Sequence, residues 1–355
     1  MSLHYNWTLK DAVFTKDKGT VFSCFACGGG STMGYKLAGF DVLGCNEIDP
    51  TIIEVYKLNH NPKYAYCEGI QTFKLRNDLP EELYSLDILD GSPPCSSFSM
   101  AGNREKDWGK NKKFREGQSN QVLDTLFFDF IDLAEKLQPK VVIAENVKGL
   151  LLGNAKSYVR QIYKDFDRAG YIVQHFLLDA SKMGVPQRHE RVFFIALRKD
   201  LVEQFMQHFD MFTRLPELKL EFNEPEVLFR DIKVNENDNM LTDYDLAIWE
   251  KRIDGDSDYC ETLKRMENRE SNWNSKYIYD DKVCNTITAS AGSKLVCFSE
   301  PRKLNNKELI KLGSFPLDYN FLENKVKYLI GMSVPPLMTA KIAEQIYIQW
   351  LSKIK

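Results

Sequence analysis

The sequence predicts an α/β fold, a doubly wound sheet with helices on both faces, joined to a smaller irregular domain. Three observations carry this. Over the first two hundred residues, short β-branched or apolar runs alternate with helical stretches, the rhythm of strands linked by crossover helices. A small-residue loop, Phe25-Ala-Cys27-Gly28-Gly29-Gly30, lies between the first run and the first helix. After Lys199 the rhythm gives way to scattered charge. The 355 residues are enough for one large domain and one smaller one.

Thr20 to Phe25 reads as the first strand, and Ser31 or Thr32 to Ala38 as a short helix closed by Gly39. Asp41 to Asn46 is the second strand. Asp49 and Pro50 suit the N-cap and first position of a helix reaching Asn59. Tyr64–Cys67 and Leu86–Leu89 are the third and fourth strands. Leu123 to Leu137 repeats apolar residues at helical spacing and ends before Pro139. Val141–Ala144 is a fifth strand, Ser157–Ala169 a helix ended by Gly170, and Tyr171–Leu178 and Val192–Leu197 the last strands. Residues 200–285 offer few periodic segments. Thr286–Ala289 and Lys294–Cys297 are short strand-like runs, and Leu304–Leu312 is a helix with Asn305 or Asn306 near its cap. Pro336 opens a last helix to about Trp350, expected to pack back on the first domain.

Composition narrows the class. Hydrophobic content of 43% and charged content of 27% are those of an ordinary globular protein. No apolar run approaches the roughly 20 residues of a membrane span, and the first ten residues lack a signal-peptide core. A cytoplasmic location without membrane attachment is expected. The eight cysteines are scattered, and Cys24-x-x-Cys27 has no second pair at metal-ligand spacing, so no metal site is expected. Net charge is only −3. Residues 201–300 hold 12 Lys/Arg against 21 Asp/Glu, a net of −9, so the remainder carries +6. Residues 104–115 concentrate six basic residues against two acidic, a local match for phosphates.

The segment Asp87-Ile-Leu-Asp-Gly-Ser-Pro93-Pro94-Cys95-Ser-Ser-Phe-Ser99 runs an apolar strand into two prolines and a cysteine. The prolines hold the chain extended and present a thiol on a stiff turn, which a nucleophile needs and a packing cysteine does not. Taken alone, the segment fits a core cysteine equally well. In the loop after the first strand, small residues let backbone approach a ligand at a helix N-terminus. Glu47, at the end of the second strand, suits ribose hydroxyls. The loop does not match G-x-G-x-x-G, which argues against a nicotinamide dehydrogenase.

Pro94-Cys95-x-x-Phe98-Ser99 resembles the nucleophile motif of DNA cytosine-5 methyltransferases. Glu145-Asn146-Val147 resembles their second catalytic motif, and Gln187-Arg188-His189-Glu190-Arg191 their Gln-x-Arg-x-Arg motif. The three stand in the family's order, within a resemblance running from about Val21 to about Ile346. It implies a Rossmann-like, S-adenosylmethionine-dependent domain of residues 1–199 plus 321–355. Residues 200–320 would form a target-recognition domain and connecting motif. It implies that Cys95 attacks C6 of a flipped-out cytosine in duplex DNA and that Glu145 acts at N3. Arg191 would bond O2 and orient Glu145, with Gln187 and Arg188 in support. Phe25, Gly29, Gly30, Glu47, Ile48, Ser333 and Val334 would contact the cofactor.

Further implications are a monomer, a location at the nucleoid, a paired restriction endonuclease, and closure of loop 104–115 over DNA with Trp108 or Phe114 in the gap. Arg252, Arg265, Asn272 and Asn274 are candidate base readers. The chain departs from the family at Cys27 and His189, at Glu68-Gly69-Ile70 where Gly-Asp-Ile is usual, and at Met332 where asparagine is usual. These departures keep a catalytically silent DNA-binding relative in view. A transfer-RNA cytosine-5 methyltransferase is the other alternative, although the Cys-Phe-Thr segment of that branch is missing.

Overall fold

The computed structural model describes residues 4–94, 111–112, 121–122, 125–152, 156–206, 216–234, 239–268, 275–290, 294–323 and 326–354. By packing, the chain divides into two compact units. One is Val13–Asp179, Glu190–Glu221 and Thr339–Lys355, and the other is Met1–Ala12, Ala180–His189 and Phe222–Met338.

The first unit is built on seven strands: β1 Thr20–Cys24, β2 Asp41–Asn46, β3 Tyr64–Tyr66, β4 Ile88–Gly91, β5 Val141–Val147, β6 Tyr171–Asp179 and β7 Glu190–Arg198. Their order in the sheet is β3-β2-β1-β4-β5-β7-β6. The first five run parallel, whereas β7 is antiparallel to both β5 and β6. Pairing with the long β7 carries β5 three residues past the predicted Ala144. Glu145 and Asn146 therefore stand within a strand, opposite Phe193 and Val192. The order reverses between β1 and β4, where open α/β sheets bind ligands beyond their strand ends.

Helices cover both faces. α1 (Gly30–Leu37), α2 (Pro50–His60), α3 (Leu126–Leu137) and α4 (Lys156–Arg168) belong to this unit. Asp49 caps α2 as predicted, accepting from the amides of Thr51 and Ile52 at 2.9 and 3.2 Å. On one face, Phe22, Leu89, Val142 and Phe194 pack with Phe127, Phe130 and Leu133 of α3 and Ile162 and Phe166 of α4. On the other, Ala26 and Cys45 pack with Ile53 and Tyr56 of α2. A register shift between Val21 and Phe22 gives β2 one extra residue beside β1, and Leu43 joins the first core. From Thr339 onward the last helix belongs to this unit, and its Tyr347 ring meets Phe40 edge-on at 6.3 Å.

Gly91 ends β4 under the ring of Phe130. A Cβ there would stand 2.5 Å from Phe130 Cε2, and that ring is fully buried. Gly91→Ala is expected to cost about 1–3 kcal/mol by overpacking, measured as a lowered thermal midpoint.

The second unit contains β8 (Ser275–Ile278) parallel to β9 (Lys294–Cys297). Around them lie α5 (Asp243–Trp249), α6 (Tyr259–Glu267), α7 (Asn306–Leu312) and α8 (Val326–Met332). Ile248, Tyr259, Leu263, Tyr277 and Val296 form one buried apolar cluster within it. Asn305 caps α7 in a reciprocal box with Glu308, whose carboxylate also holds buried Arg302 at 2.8 and 2.9 Å. Thr286–Ala289 is not a strand. Its backbone is taken up elsewhere: the Ile287 amide donates to the Gln187 side chain, and Ala289 packs against Gly331.

Candidate active site

Glu145 is buried on β5 and ion-paired through Oε1 to Arg191 Nε at 2.9 Å. The contact follows from the ladder. Glu145 faces Phe193 and Arg191 faces Val147, so acid and base are diagonal neighbours across antiparallel strands. The Ser92 hydroxyl donates to the same carboxylate. Burial raises the Glu145 pKa, and Arg191 and Ser92 pull it back. Next along the strand, Asn146 Nδ2 donates to the Pro93 carbonyl at 3.1 Å, and its Oδ1 accepts from Val147 N. Two consecutive side chains of β5 thus grip Ser92 and Pro93, three and two positions before Cys95. Such a carboxyl, poised toward protonation beside a guanidinium, can give a proton to a ring nitrogen. Cys95 itself lies outside the described residues.

The loop between β1 and α1 forms a second cluster in the same unit. Glu47 is buried at the end of β2, and both its oxygens take backbone donors, Cys27 N at 2.8 Å and Asp49 N at 2.9 Å. Burial raises its pKa while those amides lower it. Phe25 and Cys27 have φ of 52° and 48°, in the left-handed region. Cys27 stands where the resemblance expects glycine, and the loop keeps a glycine-like conformation there at a cost of roughly 1–2 kcal/mol. Such strain persists where surroundings over-determine the backbone. Gly29 has φ 86°, and a Cβ on it would reach the buried His60 ring. It opens α1, whose N-terminus has no side-chain cap. Ile48 extends toward Gly69, and Glu68 is ion-paired to Arg76 at 2.9 Å.

Asp90 is a buried acid of the same unit that the sequence does not single out. It is 3% exposed on β4 and accepts hydroxyl donors from Ser23 at 2.7 Å and Tyr35 at 3.0 Å, and from Ser31. Burial pushes its pKa up to about 6, the three hydroxyls oppose the shift, and Glu145 adds to it. The available signal was an acid closing an otherwise apolar run, Ile88-Leu89-Asp90. A carboxyl with a raised folded pKa holds its proton more tightly folded than unfolded. Its contribution is fully present below its unfolded pKa and is lost as pH rises through about 6. The loss is roughly 3 kcal/mol. Relative to wild type, Asp90→Asn is therefore expected to gain thermal stability between pH 5 and 8, measured by melting across pH.

The remaining candidates are placed differently. Gln187, Ser333 and Val334 belong to the other compact unit. Gln187 is buried, and its amide joins Leu312 O at 3.0 Å to Ile287 N at 2.8 Å, so it staples that unit's backbone. His189 is buried with Nδ1 3.4 Å from Gln187 Oε1. Arg188 is exposed. Ser333 turns its hydroxyl to Leu329 O at 2.7 Å, and Val334 is buried. Arg252 lies over the rings of Trp249 and Phe298 and bonds their carbonyls, while Arg265 pairs with Asp256 at 2.9 Å. Asn272, Asn274, Trp108 and Phe114 lie outside the described residues. Of the basic segment 104–115, only the Asn111–Lys112 backbone is described, paired with Gln121–Val122. Among the described residues no helix is long and apolar enough to cross a membrane, and no three His, Cys, Asp or Glu side chains group to hold a metal.

The family model for C-5 cytosine-specific DNA methylase matches residues 19–348. Type II methyltransferase M.FnuDI of Fusobacterium nucleatum is 38% identical over 181 residues, 51% of this chain and 47% of that protein. The chain thus spans about half the length of that relative and of M.NgoPII of Neisseria gonorrhoeae. Type II methyltransferase M1.HphI of Haemophilus parahaemolyticus is 29% identical over 342 residues, 92% of this chain and 86% of that protein. Among solved structures, a DNMT2 triple mutant of Spodoptera frugiperda superposes with a TM-score of 0.63 at 18% identity. It covers 92% of this chain and 99% of that one, a likeness of fold. The chain belongs to the C-5 cytosine-specific DNA methylase family.

Proposed function

We propose that the protein transfers a methyl group from S-adenosylmethionine to C5 of a cytosine flipped out of a specific duplex DNA sequence. The observation that carries this is the Glu145–Arg191 pair, with Asn146 gripping Pro93 just ahead of Cys95. Cytosine C5 is too weak a nucleophile to take a sulfonium methyl group directly. Addition of the Cys95 thiolate to C6 forms an S–C6 bond and sends electron density toward N3 and C5. Glu145 gives its proton to N3 as that density arrives, and Arg191 holds the carboxyl in place and bonds O2. C5 would then take the methyl carbon as that carbon's bond to the sulfonium sulfur breaks, its electron pair staying on the departing, now neutral, sulfur. The C5 proton passes to solvent, the Cys95 sulfur leaves as thiolate, and N3 returns its proton to the Glu145 carboxylate, which restores the ring and the acid. The base must leave the stack first, because C6 is shielded inside a duplex.

Bound S-adenosylmethionine supplies an electrophilic methyl group. The loop after β1 fits it. Glu47, with both oxygens set by backbone amides, keeps lone pairs for ribose hydroxyls. Phe25, Gly29, Gly30 and Ile48 would line the same pocket, and the resemblance alone proposes Ser333 and Val334 as further cofactor contacts. We assign catalysis to residues 1–199 plus 321–355, and target recognition with its connecting motif to residues 200–320. A monomer acting on nucleoid DNA in the cytoplasm, paired with a restriction endonuclease, completes the reading.

The test is transfer of labelled methyl from S-adenosylmethionine to unmethylated genomic DNA, with total RNA in parallel. Label in DNA is expected. Label only in RNA would move the substrate to the transfer-RNA branch, and no label in either would favour a silent relative.

A further inference from the structure

Resting on that reading of the site, we propose that Asp90 is a positioning residue for the cofactor. It locks the first two turns of α1 to β4, so that the loop receiving S-adenosylmethionine and the strand leading to Cys95 keep a fixed spacing. Three elements meet at this carboxylate. Ser23 lies on β1, in register with Asp90 on β4. Ser31 is the second residue of α1 and Tyr35 its sixth, so both donors lie in the two turns that follow the glycine loop. Asp90 is next to Gly91 and Ser92, and Ser92 in turn donates to Glu145. A chain of direct contacts therefore runs from the helix behind the cofactor loop to the carboxyl proposed to act on the base.

A purely structural fastener has no need of a carboxylate here. Its three partners are neutral hydroxyls, which an asparagine carbonyl would also satisfy in part, and burying an unpaired negative charge is costly. The fold keeps the costlier group, as happens where function and stability compete.

The test compares the full-length wild-type protein with Asp90→Asn, reading S-adenosylmethionine dissociation constant, kcat, duplex DNA affinity and thermal midpoint at pH 8. Asp90→Asn is expected to weaken S-adenosylmethionine about tenfold, with DNA affinity unchanged and the thermal midpoint not lowered. Unchanged cofactor affinity, or a loss that merely follows a fallen midpoint, would overturn the proposal. Tyr35→Phe and Ser31→Ala each remove one donor and serve if Asp90→Asn does not fold. Each is expected to weaken the cofactor about threefold, and no effect in both would also overturn it. A wild-type protein that binds no S-adenosylmethionine would instead defeat the reading of the site.

Discussion

Cys95→Ser is expected to lose methyl transfer by more than about a thousandfold while duplex DNA affinity stays within about twofold of wild type. The reason lies in the first chemical step. A serine hydroxyl is far less acidic than a thiol, and its neutral oxygen adds poorly to C6. Without addition C5 gains no electron density. Binding is untouched because phosphate and base-edge contacts, rather than the thiol, hold duplex DNA. The measurement is single-turnover transfer beside equilibrium DNA binding. Residual activity near wild type would remove Cys95 from the mechanism.

Glu145→Gln is the second large effect, an expected loss of about a hundred- to ten-thousandfold in single-turnover rate. Glutamine can keep a bond to Arg191 and Ser92 but has no acidic proton for N3. The pH profile separates this from mere misplacement. Burial raises the Glu145 pKa, so its protonated, proton-donating form persists above the ordinary carboxylate range and declines as pH rises further. The wild-type rate should carry a descending limb from that titration. The glutamine variant should lack the limb at every pH. If the limb persists in Glu145→Gln, another group donates the proton.

Much of the sheet was legible because its elements are short and punctuated. Asp49-Pro50 before an apolar run announces a helix start by its hydrogen-bonding chemistry, and of the two asparagines read near the later cap it is Asn305 that caps α7. Strand direction is absent from periodicity, so the antiparallel placement of β7 was not visible, nor was the extension of β5 that places Glu145 within a strand. The β-branched run at Thr286 read as a strand although its backbone serves Gln187 instead. α5 and α6 have seven and nine residues, too few turns for a periodic signal, and only Thr242 and Asp258 as caps marked them. Arg252 stacks on Trp249 and Arg265 pairs with Asp256, partners that an arginine in sequence does not announce. Asp90 escaped notice for the same reason. A single acid in an apolar run reveals its role only once Ser23, Ser31 and Tyr35 are brought around it.

The central claim is a covalent Cys95–C6 adduct. Its most direct measurement is trapping on a duplex copied with 5-fluoro-2′-deoxycytidine triphosphate, in the presence of S-adenosylmethionine, followed by peptide mapping of the stable complex. Fluorine at C5 cannot leave as a proton does, so the adduct should persist after denaturation, with the nucleotide on the peptide containing Cys95. A complex carried by another cysteine, or none from a preparation active on ordinary DNA, would contradict the account.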